Sequence, residues 1–140
     1  MNKRPLNDEF WDEKEVMPPA EKEAYLNERL RWIVQHAYKN APAIKHRFDE
    51  TGVDPAQIKT VEDLQRLPVL RKDEVRELQR KEPPFGGFLA VDPRSLVNIF
   101  ISPGPLYDPE GPPGTHTGAS DSVYACYAAG IRQGDRVVMT

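Results

Sequence analysis

The sequence predicts an α/β protein: a helical N-terminal region leads into one strand–loop–helix–strand unit of a parallel sheet, left incomplete in this chain. Three observations carry that expectation. Apolar residues recur at helical spacing as far as residue 81. Eight of the 14 prolines then fall between Pro83 and Pro113, and four of the nine glycines between Gly104 and Gly118, so the breakers concentrate in the middle of the chain. Two β-rich runs follow, 96–101 before the loop 102–118 and 136–139 after it, with one helical segment between them. The expected division is an N-terminal extension over 1–20, a helical region over 21–82, and the start of an α/β domain over 83–140.

The first helix is expected over 21–39, where Leu26, Leu30, Ile33 and Ala37 form one apolar stripe beside Val34 and Tyr38. Pro18 and Pro19 precede it, and Asn40 with Pro42 ends it. If the stripe is fully buried, Leu30→Ala should cost about 2–5 kcal/mol. A shorter helix over 44–50 stops at Gly52, which can take the left-handed conformation of a helix end. Asp54-Pro55 reads as an N-cap followed by proline at the first helical position. Thr60-Val61-Glu62-Asp63 resembles a capping box with aspartate in place of glutamate, with Leu64 and Leu67 turned inward and Pro68 closing the turn. Residues 71–81 read as an exposed helix with Val75 and Leu78 inward.

The run Leu96-Val97-Asn98-Ile99-Phe100-Ile101 reads as a strand between Pro93 and Ser102-Pro103-Gly104. Five prolines and four glycines in 102–118 argue against regular structure through most of that loop. A helix over about 120–129 should turn Val123, Tyr124, Tyr127 and Ala128 inward and end at Gly130. Gln133-Gly134-Asp135 then turns into the second strand, 136–139, which makes the grammar that of a parallel crossover. A parallel strand is normally buried on both faces, so two strands with one crossover call for the rest of a larger protein or a partner.

Composition narrows the function. With 39% hydrophobic and 29% charged residues and a net charge of −3, the chain has no field that would draw in nucleic acid. No apolar run is long enough to span a bilayer, and residues 1–12 lack the apolar core of a signal peptide. A single cysteine, Cys126, makes no intrachain disulfide and fits a cytoplasmic protein.

Three ordered segments resemble a known family. They are Leu30-Arg31-Trp32-Ile33-Val34-Gln35-His36-Ala37-Tyr38-Lys39-Asn40-Ala41-Pro42, then Phe48-Asp49-Glu50-Thr51-Gly52-Val53, then 58–68 with its Asp63-Leu64 and Leu67-Pro68. A fourth, Ala129-Gly130 through Gly134-Asp135-Arg136-Val137, resembles the family's Ala-Gly-x-x-x-Gly-Asp-x-Val entry into a strand. In this order they resemble the opening of phenylacetate–CoA ligase and its relatives, AMP-forming acyl- and aryl-CoA ligases, over about residues 30–138. The resemblance makes the second half of this chain the first βαβ unit of an adenylate-forming ligase large domain. It implies activation of a carboxylic acid with ATP and Mg²⁺ and transfer of the acyl group to coenzyme A. It also implies association with the remainder of a ligase chain or as a homodimer.

In that family a loop reading Ser-Ser-Gly-Thr-Thr-Gly-Lys-Pro follows a strand and surrounds phosphate oxygens with backbone N–H groups. The corresponding stretch here is Ser102-Pro103-Gly104-Pro105-Leu106-Tyr107-Asp108-Pro109. The resemblance leaves Ser102 and Gly104 as the candidate cofactor-binding remnant. Pro103 and Pro105 each remove an N–H, and Asp108 puts a negative charge in the lysine position. In a partly dry site that reversal costs on the order of several kcal/mol of anion binding. The residues leave two readings open: a rigid proline-rich surface loop without a ligand, or a remodelled nucleotide loop.

The remaining chemistry-bearing residues point to packing. His36 falls near the helix stripe and reads as packed or half-exposed; His46 lies between Lys45 and Arg47 and reads as surface. His116 sits in a polar Gly-Thr-His-Thr-Gly run. Cys126 on an Ala- and Tyr-rich helix reads as a buried inert thiol, and Asp121 as a helix-dipole partner. No catalytic residue can be named, and the histidines and Cys126 have no metal-ligand spacing. Three functions remain: the N-terminal part of an acyl- or aryl-CoA ligase, an adenylate-forming relative with another acceptor, or a non-catalytic binding or assembly module of the same fold.

Overall fold

The computed structural model of the protein describes residues 7–112 and 122–138. Its element order is α1 (Pro19–Asn40), α2 (Pro42–Thr51), 3₁₀ turns at Pro55–Gln57 and Val61–Arg66, α3 (Lys72–Lys81), a 3₁₀ turn at Pro93–Ser95, β1 (Asn98–Ser102), β2 (Leu106–Glu110) and α4 (Ser122–Ala128). The helical region precedes the strands as expected, but both strands come before α4. The expected starts and stops hold as well. Gly52 ends α2 in the left-handed region at φ 66°, and the Asp54 carboxylate accepts the Ala56 N–H at 2.8 Å. The Asp63 carboxylate reaches back to the Thr60 N–H at 2.9 Å as in a capping box, and takes the Lys59 N–H at 2.9 Å besides. That segment is 3₁₀ rather than α-helical.

Those two backbone donors, Lys59 first, hold the Asp63 carboxyl below its ordinary value. A lowered folded-state pKa means stability that is present above the unfolded carboxylate value and lost as pH falls through the folded one. Asp63→Asn is therefore expected to lower the melting temperature at neutral pH and to flatten its fall between about pH 5 and 2. A variant that keeps the full wild-type acid slope would contradict this.

The helical core is small. Val34, Phe48 and Ile58 are buried, with Leu30, Tyr38, Ile44, Val53 and Leu67 packed around them. The Tyr38 ring meets Phe48 edge-on at 5.8 Å, and its hydroxyl donates to Asp49 at 2.9 Å. The expected α1 stripe is rotated. Leu26 and Ile33 are 45% and 42% exposed, whereas Val34, placed beside the stripe, is 7% exposed and central. The apolar sector of α1 is wide, and the positions of Phe48 and Ile58 choose its centre. Leu30 is only half-buried, so the full cost of a large-to-small change moves from Leu30 to the residues it packs against. Leu64, expected inward, is 39% exposed.

The strands depart most from expectation. β1 pairs with β2, antiparallel, in the register Asn98↔Glu110, Ile99↔Pro109, Phe100↔Asp108, Ile101↔Tyr107 and Ser102↔Leu106. The loop expected to be irregular thus supplies a strand, and residues 136–138, expected to pair parallel to β1, belong to no ladder. Val137 and Val138 are 61% and 85% exposed. The prolines do not prevent the hairpin because Pro109 occupies a position whose nitrogen faces away from β1, where no ladder bond is lost.

The N-terminal residues are tied to α4. Trp11 packs on Tyr127 at 5.6 Å between ring centres, and the Arg132 guanidinium lies 3.7 Å from the centre of the Tyr127 ring. The Tyr127 hydroxyl donates to the Asn7 carbonyl, the Tyr124 hydroxyl to the Asp12 carboxylate, and Arg132 to the Asp8 carbonyl at 2.8 Å. Burial, then the bond to Asp12, raises the Tyr124 hydroxyl above its ordinary value. Tyr127 faces inward as expected; Ala128 is exposed instead.

Candidate functional site

The candidate loop is the tip of the β1–β2 hairpin. Ser102 ends β1, half-buried and opposite Leu106. Pro103, Gly104 and Pro105 form the exposed turn, and Asp108 stands exposed on β2. The structure therefore brings Ser102 and Gly104 together within one turn and keeps Asp108 on the adjoining strand.

Two residues on α3, absent from the sequence reading, shape this tip. Gln79 is 7% exposed and grips the outer edge of β2. Its Nε2 donates to the Tyr107 carbonyl at 2.8 Å, and its Oε1 accepts the Tyr107 N–H at 2.9 Å. The side-chain amide thus takes the part of a neighbouring strand. The Tyr107 N–H, which the resemblance aligns with the family's second loop glycine, is therefore already taken by a protein acceptor. Arg76 is the second. A Cβ at Gly104 would lie 4.0 Å from its Cδ, and its guanidinium pairs with Asp73 at 2.9 Å. Neither contact has a local sequence signal, because both join residues more than 20 positions apart; the buried polar residue in a charged helix was the one available hint.

These residues do not fit ATP in the family's manner. Two tip nitrogens are prolines, a third is bonded to Gln79, and Asp108 replaces the lysine. What the tip offers is the Gly104 backbone, the Ser102 hydroxyl and the nearby, already paired Arg76.

The other candidates are placed as follows. His36 stacks on Trp32 at 5.0 Å with a 10° tilt, packed as expected. His46 is at the surface, 3.2 Å from Glu50. Cys126 is exposed, a correction to the buried thiol; Tyr127 rather than its neighbour faces the N-terminal residues. His116 and Asp121 lie outside the described residues. Among the described residues no three His, Cys, Asp or Glu side chains form a metal-ligating group, and no helix is long and apolar enough to cross a membrane.

Comparison with known proteins gives the class. The chain is similar in structure to a solved 2-hydroxyisobutyryl-CoA ligase in the postadenylation state with 2-HIB-AMP, at TM-score 0.68 and 30% identity over 76% of this chain and 23% of that one. The fold is thus that of an adenylate-forming CoA ligase. In sequence it is 35% identical over 114 residues to the phenylacetate-coenzyme A ligase of Pseudomonas putida, covering 79% of this chain and 25% of that one. It is 33% identical over 93 residues to the enzyme of the same name from Escherichia coli K12, covering 66% and 20%. No protein-family model matches. In sequence the chain is thus similar to part of the phenylacetate-coenzyme A ligases, and in structure to part of a CoA ligase. It spans between 16% and 25% of the length of the curated relatives it matches.

Proposed function

We propose that this chain serves as the N-terminal part of an AMP-forming ligase that activates a carboxylic acid with ATP and passes it to coenzyme A in the cytoplasm, with catalytic residues elsewhere in the ligase. The observation that carries this reading is the 35% identity to a phenylacetate-coenzyme A ligase across 79% of the chain. On this reading residues 21–82 are a helical support and residues 83–140 begin the catalytic domain. The hairpin tip positions the site without cradling the triphosphate.

One observation favours a second reading, a non-catalytic assembly module. Gln79 closes the Tyr107 N–H, and prolines stand at two other tip positions, so the tip has the chemistry of a sealed loop. A chimera separates the two readings. This chain replaces the matching stretch of the Pseudomonas putida enzyme, and acyl-CoA formation is measured with a panel of aryl and acyl acids. Activity is the expected result. A folded but inactive chimera, restored when the family loop replaces 102–109, would establish the second reading. Calorimetry on the 140-residue chain should show no micromolar Mg-ATP binding, and Asp108→Lys should strengthen whatever binding exists. Tight wild-type binding, unchanged or weakened in that variant, would refute the account of the tip.

A further inference from the structure

Residues 7–15 and α4 form a second packed unit beside the helical core. The segment is shaped by its own side chains. The Asn7 amide oxygen accepts the Glu9 and Phe10 N–H groups at 2.8 Å, and the Glu15 carboxylate accepts the Trp11 N–H at 2.5 Å. Such turns act over a few residues and need no distant partner. At α4, Tyr127 is 6% exposed and meets both the Trp11 ring and the Arg132 guanidinium. Arg132 is the junction. One terminal nitrogen donates to the Tyr127 carbonyl at 2.6 Å, at the C-terminal end of α4, and the other to the Asp8 carbonyl at 2.8 Å. A planar guanidinium fork serves both carbonyls at once, which an ammonium does not match. The cluster of Val34, Phe48 and Ile58 contains none of these side chains. Where the segment meets α1, the Lys14 ammonium lies 5.9 Å from the centre of the Tyr25 ring, an exposed cation–π contact worth only about 0.5–1 kcal/mol.

We propose that residues 7–15 are a strap that holds α4 and opens as one unit, with Arg132 as its latch, while the core of α1 and α2 stays folded. Proteins open locally in contiguous cooperative units, and those with few buried apolar contacts open first. Among the described residues the strap and α4 have one buried side chain, Tyr127, against Val34, Phe48 and Ile58 in the helical core. The bonds of Tyr124 to Asp12 and of Lys14 to Tyr124 lie nearer the surface, where water competes for them. Opening releases α4 together with the turn after it, in which the Asp135 carboxylate accepts the Arg132 N–H at 2.7 Å. The position of α4 thereby depends on residues that lie 110 to 124 positions away. The strap calls for no nucleotide or acid, so it stands apart from the ligase reading.

The two tryptophans, Trp11 and Trp32, fall one in each unit and report on them separately. In the 140-residue chain carrying Trp32→Phe, emission follows the strap; in the chain carrying Trp11→Phe, it follows α1. Under rising denaturant the Trp11 transition is expected at a lower midpoint than the Trp32 transition. Hydrogen exchange gives the second measurement. Arg132→Gln should speed exchange of the α4 amides about tenfold, the loss of a hydrogen bond from a charged donor, and leave those of α1 and α2 unchanged. Arg132→Lys keeps the charge without the fork and should behave like Arg132→Gln. Tyr127→Phe removes only the bond to the Asn7 carbonyl and should give a smaller rise. Coincident tryptophan transitions would overturn the proposal. So would α4 amides unmoved by Arg132→Gln, or α1 amides that quicken along with them.

Discussion

Replacing Gly86 by alanine is expected to cost about 3 kcal/mol, the sum of a left-handed backbone strain and an overpacked contact. Gly86 is buried with φ 61°, and a Cβ there would lie 2.7 Å from the Gln79 nitrogen and 2.8 Å from the Leu78 carbonyl carbon. Both are backbone atoms of α3, which a rotamer change cannot move. The neighbouring Gly87 carbonyl accepts the Ala43 N–H at 3.0 Å, so yielding at this corner would also pull on the start of α2. Gly52→Ala is the control: φ is 66°, but nothing lies within 4 Å of the added carbon. Only the backbone penalty remains there, about 1 kcal/mol. Equal losses of melting temperature in the two variants would remove the contact with α3 from the account. A second readout follows from geometry, because Gln79 also holds β2. Gly86→Ala should speed amide exchange at Tyr107 relative to the rest of the chain.

Phe48→Ala is expected to cost about 3–5 kcal/mol. Phe48 is 5% exposed, one of three buried members of the helical core, and it carries the edge-on contact with Tyr38. With so few buried side chains, neighbours have little material with which to fill the cavity. Leu64→Ala should fall within about 0.5 kcal/mol of the wild type, since that side chain is 39% exposed. Denaturant unfolding of both variants checks the pair. Similar midpoints would mean that Phe48 is not central to the core.

The local signals in this sequence were legible because each acts over a few residues. A glycine free of a Cβ can end α2 at Gly52, and an aspartate can reach amides two to four positions away, as Asp54 and Asp63 do. The family was legible too, since the order of these signals along α1, α2 and the following turns resembles that of the ligases. Of the candidate site, Ser102 and Gly104 and the loss of donors at Pro103 and Pro105 could be read directly. The rest could not. Which side of α1 is buried depends on where Phe48 and Ile58 arrive, and an apolar sector six residues wide accommodates more than one answer. That 106–110 would be a strand depends on Gln79 reaching across from α3 to bond both groups of Tyr107. Composition alone assigned those prolines to a loop. Periodicity and capping describe the chain along its own axis. The sealed edge of β2 arises between segments 28 residues apart, and only their packing decides which of its backbone groups are satisfied.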